Sequence, residues 1–161
     1  MVKMKWIITD DVSNISSEEF DSERNGIVAG YFELIINMHR EGFCPQKIIN
    51  EKEEGLEDIL YWLRHLLEGC NMVKVGKKYE MILLTRNRYK IVMKLDNKMF
   101  IYFVEKSNNS IKWKEEVFIE EFESELRKNI KDFKNYIEQI NPNLLKSRWI
   151  KNLVADVDYY L

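Results

Sequence analysis

The chain has 161 residues, of which 45% are apolar and 32% are charged, with 25 basic side chains against 27 acidic ones. This length supports one domain of ordinary size, and the balance of apolar and charged residues is typical of a soluble globular protein rather than a disordered one. A formal net charge of −2 removes the usual electrostatic argument for a nucleic-acid-binding protein. We therefore expect a single domain over residues 1–161 and no nucleic-acid partner.

The cysteines and the N-terminal segment bear on the cellular compartment. Cys44 and Cys70 could form one disulfide bond at most, which excludes a disulfide framework. The first apolar run ends at Thr9 after three residues, so it lacks the hydrophobic region of a signal peptide. The longest apolar candidate, Gly26–Met38, has 13 residues and is too short to cross a bilayer. We expect a cytoplasmic protein with free thiols and no membrane contact.

The first 50 residues predict two strands separated by a polar segment. Val2–Thr9 alternates apolar and polar residues, whereas Ile27–Asn37 is almost continuously apolar, which indicates a strand buried on both faces. Between the two strands, a serine and a glutamate at capping-box spacing predict a short helix over Ser17–Ser22. The segment His39–Gly42 is predicted as a turn, followed by irregular chain over Phe43–Asn50.

The middle of the chain predicts one helix and then a β-meander. Leucine and isoleucine residues recur at helical spacing over Gly55–Gly69, and Gly69 has the conformational freedom of the residue that follows a helix. Turns rich in Asn and Asp then separate four short runs of strand-forming residues, which indicates hairpins. The four predicted strands are Tyr79–Thr85, Tyr89–Leu95, Met99–Glu105 and Ile111–Phe118. Lys90 and Lys94 alternate with apolar residues, so one face of the second strand is expected to meet water.

The last third of the chain is predicted to be helical. Apolar residues recur over Ile119–Ile140 with a mean step near 3.5, which predicts an amphipathic helix of about 33 Å. Asn141 and Pro142 are expected to end this helix and to begin another. The apolar stripe of that final helix is predicted to contain Leu144, Leu145, Trp149, Leu153 and Val157.

The order of these elements, β-β-α-β-β-β-β-α-α, determines the predicted fold class. Hairpin-length connections favour antiparallel neighbours. The sequence therefore predicts an α+β fold in which an antiparallel sheet of about five to six strands carries helices packed on one face. No glycine-rich turn links a strand to a helix, which argues against a dinucleotide-binding fold.

Two histidines and two cysteines are the candidate metal ligands. His39 and Cys44 are five residues apart, and so are His65 and Cys70. Zinc accepts two cysteines with two histidines, so these four residues are weak candidates for a zinc site. Their spacing matches no common zinc motif, and solvent-facing histidines with partly buried thiols are the favoured interpretation. We expect no metal and no other cofactor.

Catalytic residues are not indicated by any motif, and we expect that the protein is not an enzyme. The histidines stand in no nucleophile–base signature, and the paired carboxylates are typical of a solvated surface. Aromatic residues of the meander could form a platform for stacking bases, although packing in the sheet core is the favoured interpretation. These residues are Tyr79, Tyr89, Phe100, Tyr102, Phe103 and Trp113.

Acidic residues are concentrated in three segments, Asp10–Arg24, Glu51–Asp58 and Glu115–Glu125. Together these segments carry a charge of −15, and the other 127 residues carry +13. One interpretation is that they are solvated helix N-termini, where acidic residues are common. The other is that they converge into an acidic surface that attracts a basic partner protein. The candidate partner-binding residues are Asp10, Asp11, Glu18, Glu19, Glu53, Glu54, Glu115 and Glu116.

The chain resembles the single-domain immunity proteins of bacterial polymorphic-toxin systems in size, composition and element order. The segments that carry this resemblance are Gly30–Leu34, Trp113–Val117 and Ile140–Leu145. The resemblance implies stoichiometric inhibition of a toxin through coverage of the toxin's active site. It assigns no role to individual residues.

Three hypotheses follow. The leading hypothesis is a non-enzymatic protein-binding domain, an immunity-type inhibitor whose acidic surface binds a basic toxin. The alternative is a small-ligand-binding module or an unrecognised enzyme, with a pocket between the sheet and the long helix. A third is a homodimer joined through a sheet edge or through the helix that contains Trp149, in place of a monomer.

Overall fold

The computed structural model describes residues 1–46 and 55–161 and confirms the α+β class. The described residues form eight strands, four α-helices and one 3₁₀ helix. In chain order these are β1 Val2–Ile8, α1 Ser17–Ser22, β2 Ala29–Ile36, β3 His39–Phe43, β4 Glu57–Asp58, α2 Ile59–Lys74, β5 Tyr79–Ile82, β6 Tyr89–Leu95, β7 Met99–Glu105, β8 Ser110–Val117, α3 Ile119–Ile140, the 3₁₀ helix Pro142–Lys146 and α4 Arg148–Tyr160.

The strands form two sheets, whereas the sequence predicted one sheet of five to six strands. In the first sheet β2 lies between β1 on one edge and β3 and β4 on the other; in the second, the order is β5-β6-β7-β8. All pairs are antiparallel, as predicted. Short turns connect β2 to β3 and join β5, β6, β7 and β8 in succession, but α2 separates the first four strands from the last four. Local connections therefore could not show whether the two groups of strands pair.

The β2–β3 hairpin corrects the predicted turn at His39–Gly42. The turn is formed by Asn37 and Met38, and Asn37 has a φ of 53°, a left-handed conformation that Asn adopts more readily than most residues. His39 consequently pairs with Ile36 as the first residue of β3. As predicted, β2 is buried on both faces.

Helix α2 begins and ends later in the chain than the sequence predicted. Asp58 is its N-cap and accepts a hydrogen bond from the Tyr61 backbone N–H at 3.3 Å. Gly69 lies inside the helix, where a Cβ atom would come within 2.5 Å of the Met93 sulfur, so glycine is needed for close contact with the second sheet. Val75 caps the C-terminus of the helix, and the next residue is Gly76, whose φ is 79° and whose backbone N–H bonds to the Val73 carbonyl.

Helix α3 covers the free edge of β1 through side chains spaced four residues apart. The carboxylates of Glu121 and Glu125 accept the backbone N–H groups of Val2 and Met4, each at 3.0 Å. Four helical residues advance about 6 Å and two strand residues about 6.6 Å, so helix and strand stay in register. Two residues further along β1 and four further along α3, the Trp6 indole N–H donates to Asn129 at 3.1 Å. The bonds from Val2 and Met4 satisfy backbone N–H groups of an edge strand that could otherwise pair with another chain.

The predicted final helix is divided in two at Ser147. The buried Ser147 hydroxyl donates to Asp21 of α1 and also accepts the backbone N–H of Trp149, so the 3₁₀ helix ends there and α4 begins. Nearby, the Asn141 side chain donates to the carbonyl groups of Val12 and Ile15 at 2.9 and 2.8 Å. These bonds attach the segment around α1 to the C-terminal end of α3.

Buried apolar side chains from both sheets and from all four helices form one continuous core. Helix α2 contributes most of one face to it and contacts β2, β5 and β6. Within residues 1–46 and 55–161, none of the helices combines the length and the apolar character needed to cross a membrane.

Replacing Glu125 with Ala should destabilise the protein, because it leaves the Met4 backbone N–H at the covered strand edge without its acceptor. We expect the free energy of unfolding in urea to fall by about 1–3 kcal/mol. Glu120→Ala, in the exposed first turn of the same helix, is the matched control and should change it by less than about 0.5 kcal/mol. Equal losses in the two variants would contradict a role for Glu125 in holding β1.

Candidate functional site

The acidic residues near the N-terminus lie beside α1 and are partly engaged within the protein. Asp10 forms an ion pair with Arg24. Asp11 accepts the backbone N–H and the hydroxyl of Ser13 at 3.0 and 2.6 Å, and these hydrogen bonds lower the pKa of its carboxyl. Glu18 and Glu19 are exposed in the first turn of α1.

The acidic residues of β8 are engaged as well. Glu115 accepts hydrogen bonds from Nδ2 of Asn37 at 2.6 Å and from Nδ1 of His39 at 3.0 Å. The bond from Asn37, supported by the one from His39, holds the pKa of the Glu115 carboxyl below its usual value. Glu116 forms an ion pair with Lys98 at 2.7 Å. Glu53 and Glu54 lie outside the described residues.

The structure does not bring these two groups of acids together. The Asp10–Arg24 segment is attached to the C-terminal end of α3, whereas Glu115 and Glu116 directly precede its N-terminal end. A helix of 22 residues separates the two groups by about 33 Å. Binding of a partner by these residues stays a prediction, but the described acidic segments do not form a single acidic surface.

The four candidate metal ligands are also dispersed. The His39 ring stacks on Trp113 with centroids 5.0 Å apart, and Cys44 lies beyond the other end of β3. Nδ1 of His65 shares a hydrogen bond with the Tyr79 hydroxyl, whereas Cys70 is fully buried in the core. No cluster of three or more His, Cys, Asp or Glu side chains suited to a metal ion occurs in residues 1–46 and 55–161.

Buried carboxylates join the two sheets. Glu41 of β3 accepts hydrogen bonds from Nη1 of Arg86 at 2.6 Å and from the indole N–H of Trp113 at 2.8 Å. Glu57 of β4 accepts the hydroxyl of Thr85 at 2.7 Å. These bonds satisfy the carboxylates and hold the second sheet, including its β5–β6 turn, against the first.

The second sheet therefore has one face on the core and an outward side that we call the open face. Within the described residues no helix lies on this side, and a shallow groove of about 210 Å³ follows it. The pairing register places rows of side chains across all four strands. The open face consists of Lys78, Glu80, Ile82, Lys90, Val92, Lys94, Phe100, Tyr102, Val104, Ile111, Lys114 and Glu116.

Lysine ammonium groups lie over the aromatic rings of the open face. Nζ of Lys114 lies 4.5 Å from the Phe100 ring centroid and 5.4 Å from that of Tyr102. Nζ of Lys94 lies 5.6 Å from the Tyr102 centroid. Neither lysine forms an ion pair with a carboxylate of the described residues, so each has its charge available to a partner.

The other charges of the open face are paired. Glu80 binds Lys78 at 2.7 Å and Lys90 at 3.0 Å. At the rim, Lys98 lies 5.3 Å from the ring centroid of Phe118 and pairs with Glu116. With this rim lysine included, five lysines oppose two glutamates, so the face is basic.

Part of this face was predictable from the sequence. The alternation in β6 correctly directed Lys90 and Lys94 outward, but the meander aromatics were treated as one group. The sheet divides them: Phe100 and Tyr102 point outward, whereas Phe103 and Trp113 stack on the core side with centroids 5.9 Å apart. A β-bulge between Phe103 and Val104 shifts the register, and strand alternation by itself does not reveal it.

Comparisons of the chain with protein-family models, with curated proteins and with solved structures found no match. Function is therefore inferred from the arrangement of the residues described above.

Glu115 should make the stability of the protein depend on acid pH. Its pKa is lower in the folded protein than in the unfolded chain, so its contribution is present above about pH 4.3 and is lost as the pH falls through the folded value. We expect the free energy of unfolding to decrease on acidification below about pH 4.3. Glu115→Gln should show a smaller decrease, measured by urea titration at each pH. An unchanged slope would contradict this assignment.

The two thiols should differ in reactivity, because burial raises the pKa of Cys70 to about 12 and removes its sulfur from solvent. Mass spectrometry after iodoacetamide treatment of the folded protein should find Cys44 modified and Cys70 unmodified. Both should react in urea, and Cys44→Ser should abolish labelling of the folded protein. Rapid modification of Cys70 without denaturant would contradict its burial.

Proposed function

We propose that this chain is a non-enzymatic protein-binding domain that docks an acidic protein on the open face of its second sheet. The observation that carries the proposal is the pair Lys94 and Lys114, held over Phe100 and Tyr102 without carboxylate partners among the described residues. The charge of such a basic surface is complementary to that of an acidic protein surface.

Apolar side chains support a protein partner. The relative exposure of Ile82, Ile111 and Phe118 is 45%, 56% and 61%. Ile82 lies on the edge strand β5, Ile111 lies on the opposite edge strand β8, and Phe118 directly follows β8. Exposed apolar side chains next to polar ones are a common feature of protein-interaction surfaces. Between them, Val92 and Val104 on the two central strands are almost fully buried.

The geometry favours a protein over a single-stranded nucleic acid. Bases bind such sheets by stacking on exposed aromatic rings. Here the ammonium groups of Lys114 and Lys94 already lie over Phe100 and Tyr102, so a base would have to displace them before it could stack. An acidic side chain can instead bind the ammonium groups where they are.

The resemblance to immunity proteins extends this proposal to the partner's identity. The acidic partner would then be a toxin, and the open face would cover the toxin's active site. This differs from the hypothesis of a basic toxin bound by acidic residues. The separation of the described acidic segments and the internal bonds of Asp10 and Glu115 support the change of surface.

The proposal is tested with the double variant Lys94→Glu/Lys114→Glu and the purified product of the neighbouring gene. Isothermal titration should show a 1:1 complex with the unmodified chain that weakens with added salt. The double variant should bind at least about 100-fold more weakly, because like charges would then meet across the interface. Lys128→Glu/Lys151→Glu, on exposed positions of α3 and α4, makes the same charge change and should bind as the unmodified chain does.

Each contrary outcome rejects a specific part of the proposal. Absence of a complex with the neighbouring gene product would reject the immunity-type role. Equal binding by both double variants would reject the open face as the docking surface. Tight binding of an oligo-dT strand that only Lys94→Glu/Lys114→Glu abolishes would reject the protein partner in favour of a nucleic acid.

A further inference from the structure

A cavity of about 370 Å³ lies between α2 and α4, away from the open face and away from the predicted position between the sheet and the long helix. Residues at helical spacing line it from both sides: Arg64, Glu68 and Asn71 on α2, and Trp149, Asn152 and Asp156 on α4. The volume falls within the range of small-molecule sites.

Trp149 lines this cavity, and its indole N–H is buried without an acceptor among the described residues. The other three tryptophans all have one: Trp6 donates to Asn129 at 3.1 Å, Trp62 to Glu57 at 3.2 Å, and Trp113 to Glu41 at 2.8 Å. Buried polar groups are almost always satisfied, so this exception at a cavity indicates a missing acceptor.

The Trp149 ring also packs closely against its neighbours. Gly26 lies so close that a Cβ atom there would come within 2.5 Å of the ring, and the Arg64 guanidinium carbon lies 4.2 Å from the ring centroid. Arg64 forms no ion pair with a described carboxylate, although Glu68 lies one helical turn away. The guanidinium and the indole N–H thus form a donor side of the cavity.

Acceptors lie elsewhere along the same cavity. Oδ1 of Asn71 is buried and has no donor among the described residues. Asp156 forms no ion pair with them, and Glu68 accepts the Tyr79 hydroxyl at 3.0 Å through one of its two oxygens. The cavity therefore offers a donor side with one positive charge and an acceptor side with two carboxylates.

We propose that this cavity binds a small zwitterion of amino-acid size. The ligand's carboxylate accepts hydrogen bonds from the indole N–H of Trp149 and from Arg64. Its ammonium group donates to Oδ1 of Asn71 and to the carboxylates of Glu68 and Asp156. Binding would satisfy both unpaired buried atoms at once. This site is independent of the open face, so either proposal can fail without the other.

The test follows the four indole N–H signals in ¹⁵N-labelled protein during titration with each common L-amino acid, and with acetate and methylammonium as half-ligands. We expect at least one amino acid to shift the Trp149 signal saturably at submillimolar concentration while the other three indoles stay fixed. Acetate and methylammonium should bind at least about tenfold more weakly.

Three outcomes of this titration would overturn the proposal. They are no saturable shift with any amino acid, which leaves water as the occupant of the cavity; equal binding of acetate or methylammonium; and parallel shifts of all four indoles.

Trp149→Phe removes the N–H and keeps an aromatic ring for Arg64, and Trp113→Phe is its matched control. The first variant should lose about tenfold or more in affinity for the bound amino acid and, without ligand, should be as stable in urea as the unmodified chain. The control should keep its affinity and lose stability, because it removes one of the two hydrogen-bond donors to the buried Glu41. Asn71→Leu should also weaken binding.

Loss of stability in Trp149→Phe as large as in the control would mean that the N–H is bonded within the protein itself, and would overturn the proposal. Full affinity in both Trp149→Phe and Asn71→Leu would overturn it as well.

Discussion

Buried glutamates hold the two sheets of this protein together. Glu41 binds Arg86 and Trp113, and Glu57 binds Thr85, so side chains from the edge of the first sheet are attached to the second. A buried carboxylate is strongly unfavourable unless hydrogen bonds replace its water, and here each one receives at least two. The attachment determines which face of the second sheet meets the core and therefore which face stays open.

Several acidic side chains in this chain serve internal structure. Glu121 and Glu125 cover the backbone of an edge strand, and Glu115 receives bonds from the β2–β3 turn region. A count of charges along the chain cannot distinguish a carboxylate that accepts such bonds from one that faces a partner. The charge that remains available on the open face is positive, and it belongs to lysines that lie on aromatic rings.

Most elements were predictable because periodicity is a local property. Helix α3 and strands β6 and β7 match their predicted bounds. The errors arise where one residue type has two uses. Gly69 allows close packing against Met93 and does not end the helix, and Gly42 lies within β3, with Asn37 taking the turn. Tight turns and close contacts between chain segments both favour such residues, so the residue type by itself does not distinguish them. Which of the two occurs depends on neighbours that are distant in sequence.

The sequence by itself determined the α+β class, the antiparallel hairpins and the outward direction of Lys90 and Lys94, since these follow from spacing within a few residues. Only the tertiary structure decided that the strands form two sheets, that the acidic segments lie apart and that Trp149 lines a cavity. Its bonds join residues far apart in the chain: Glu41 and Trp113 are 72 positions apart, and Trp6 and Asn129 are 123 apart. Such pairs are selected by packing of the whole core, which no local pattern encodes.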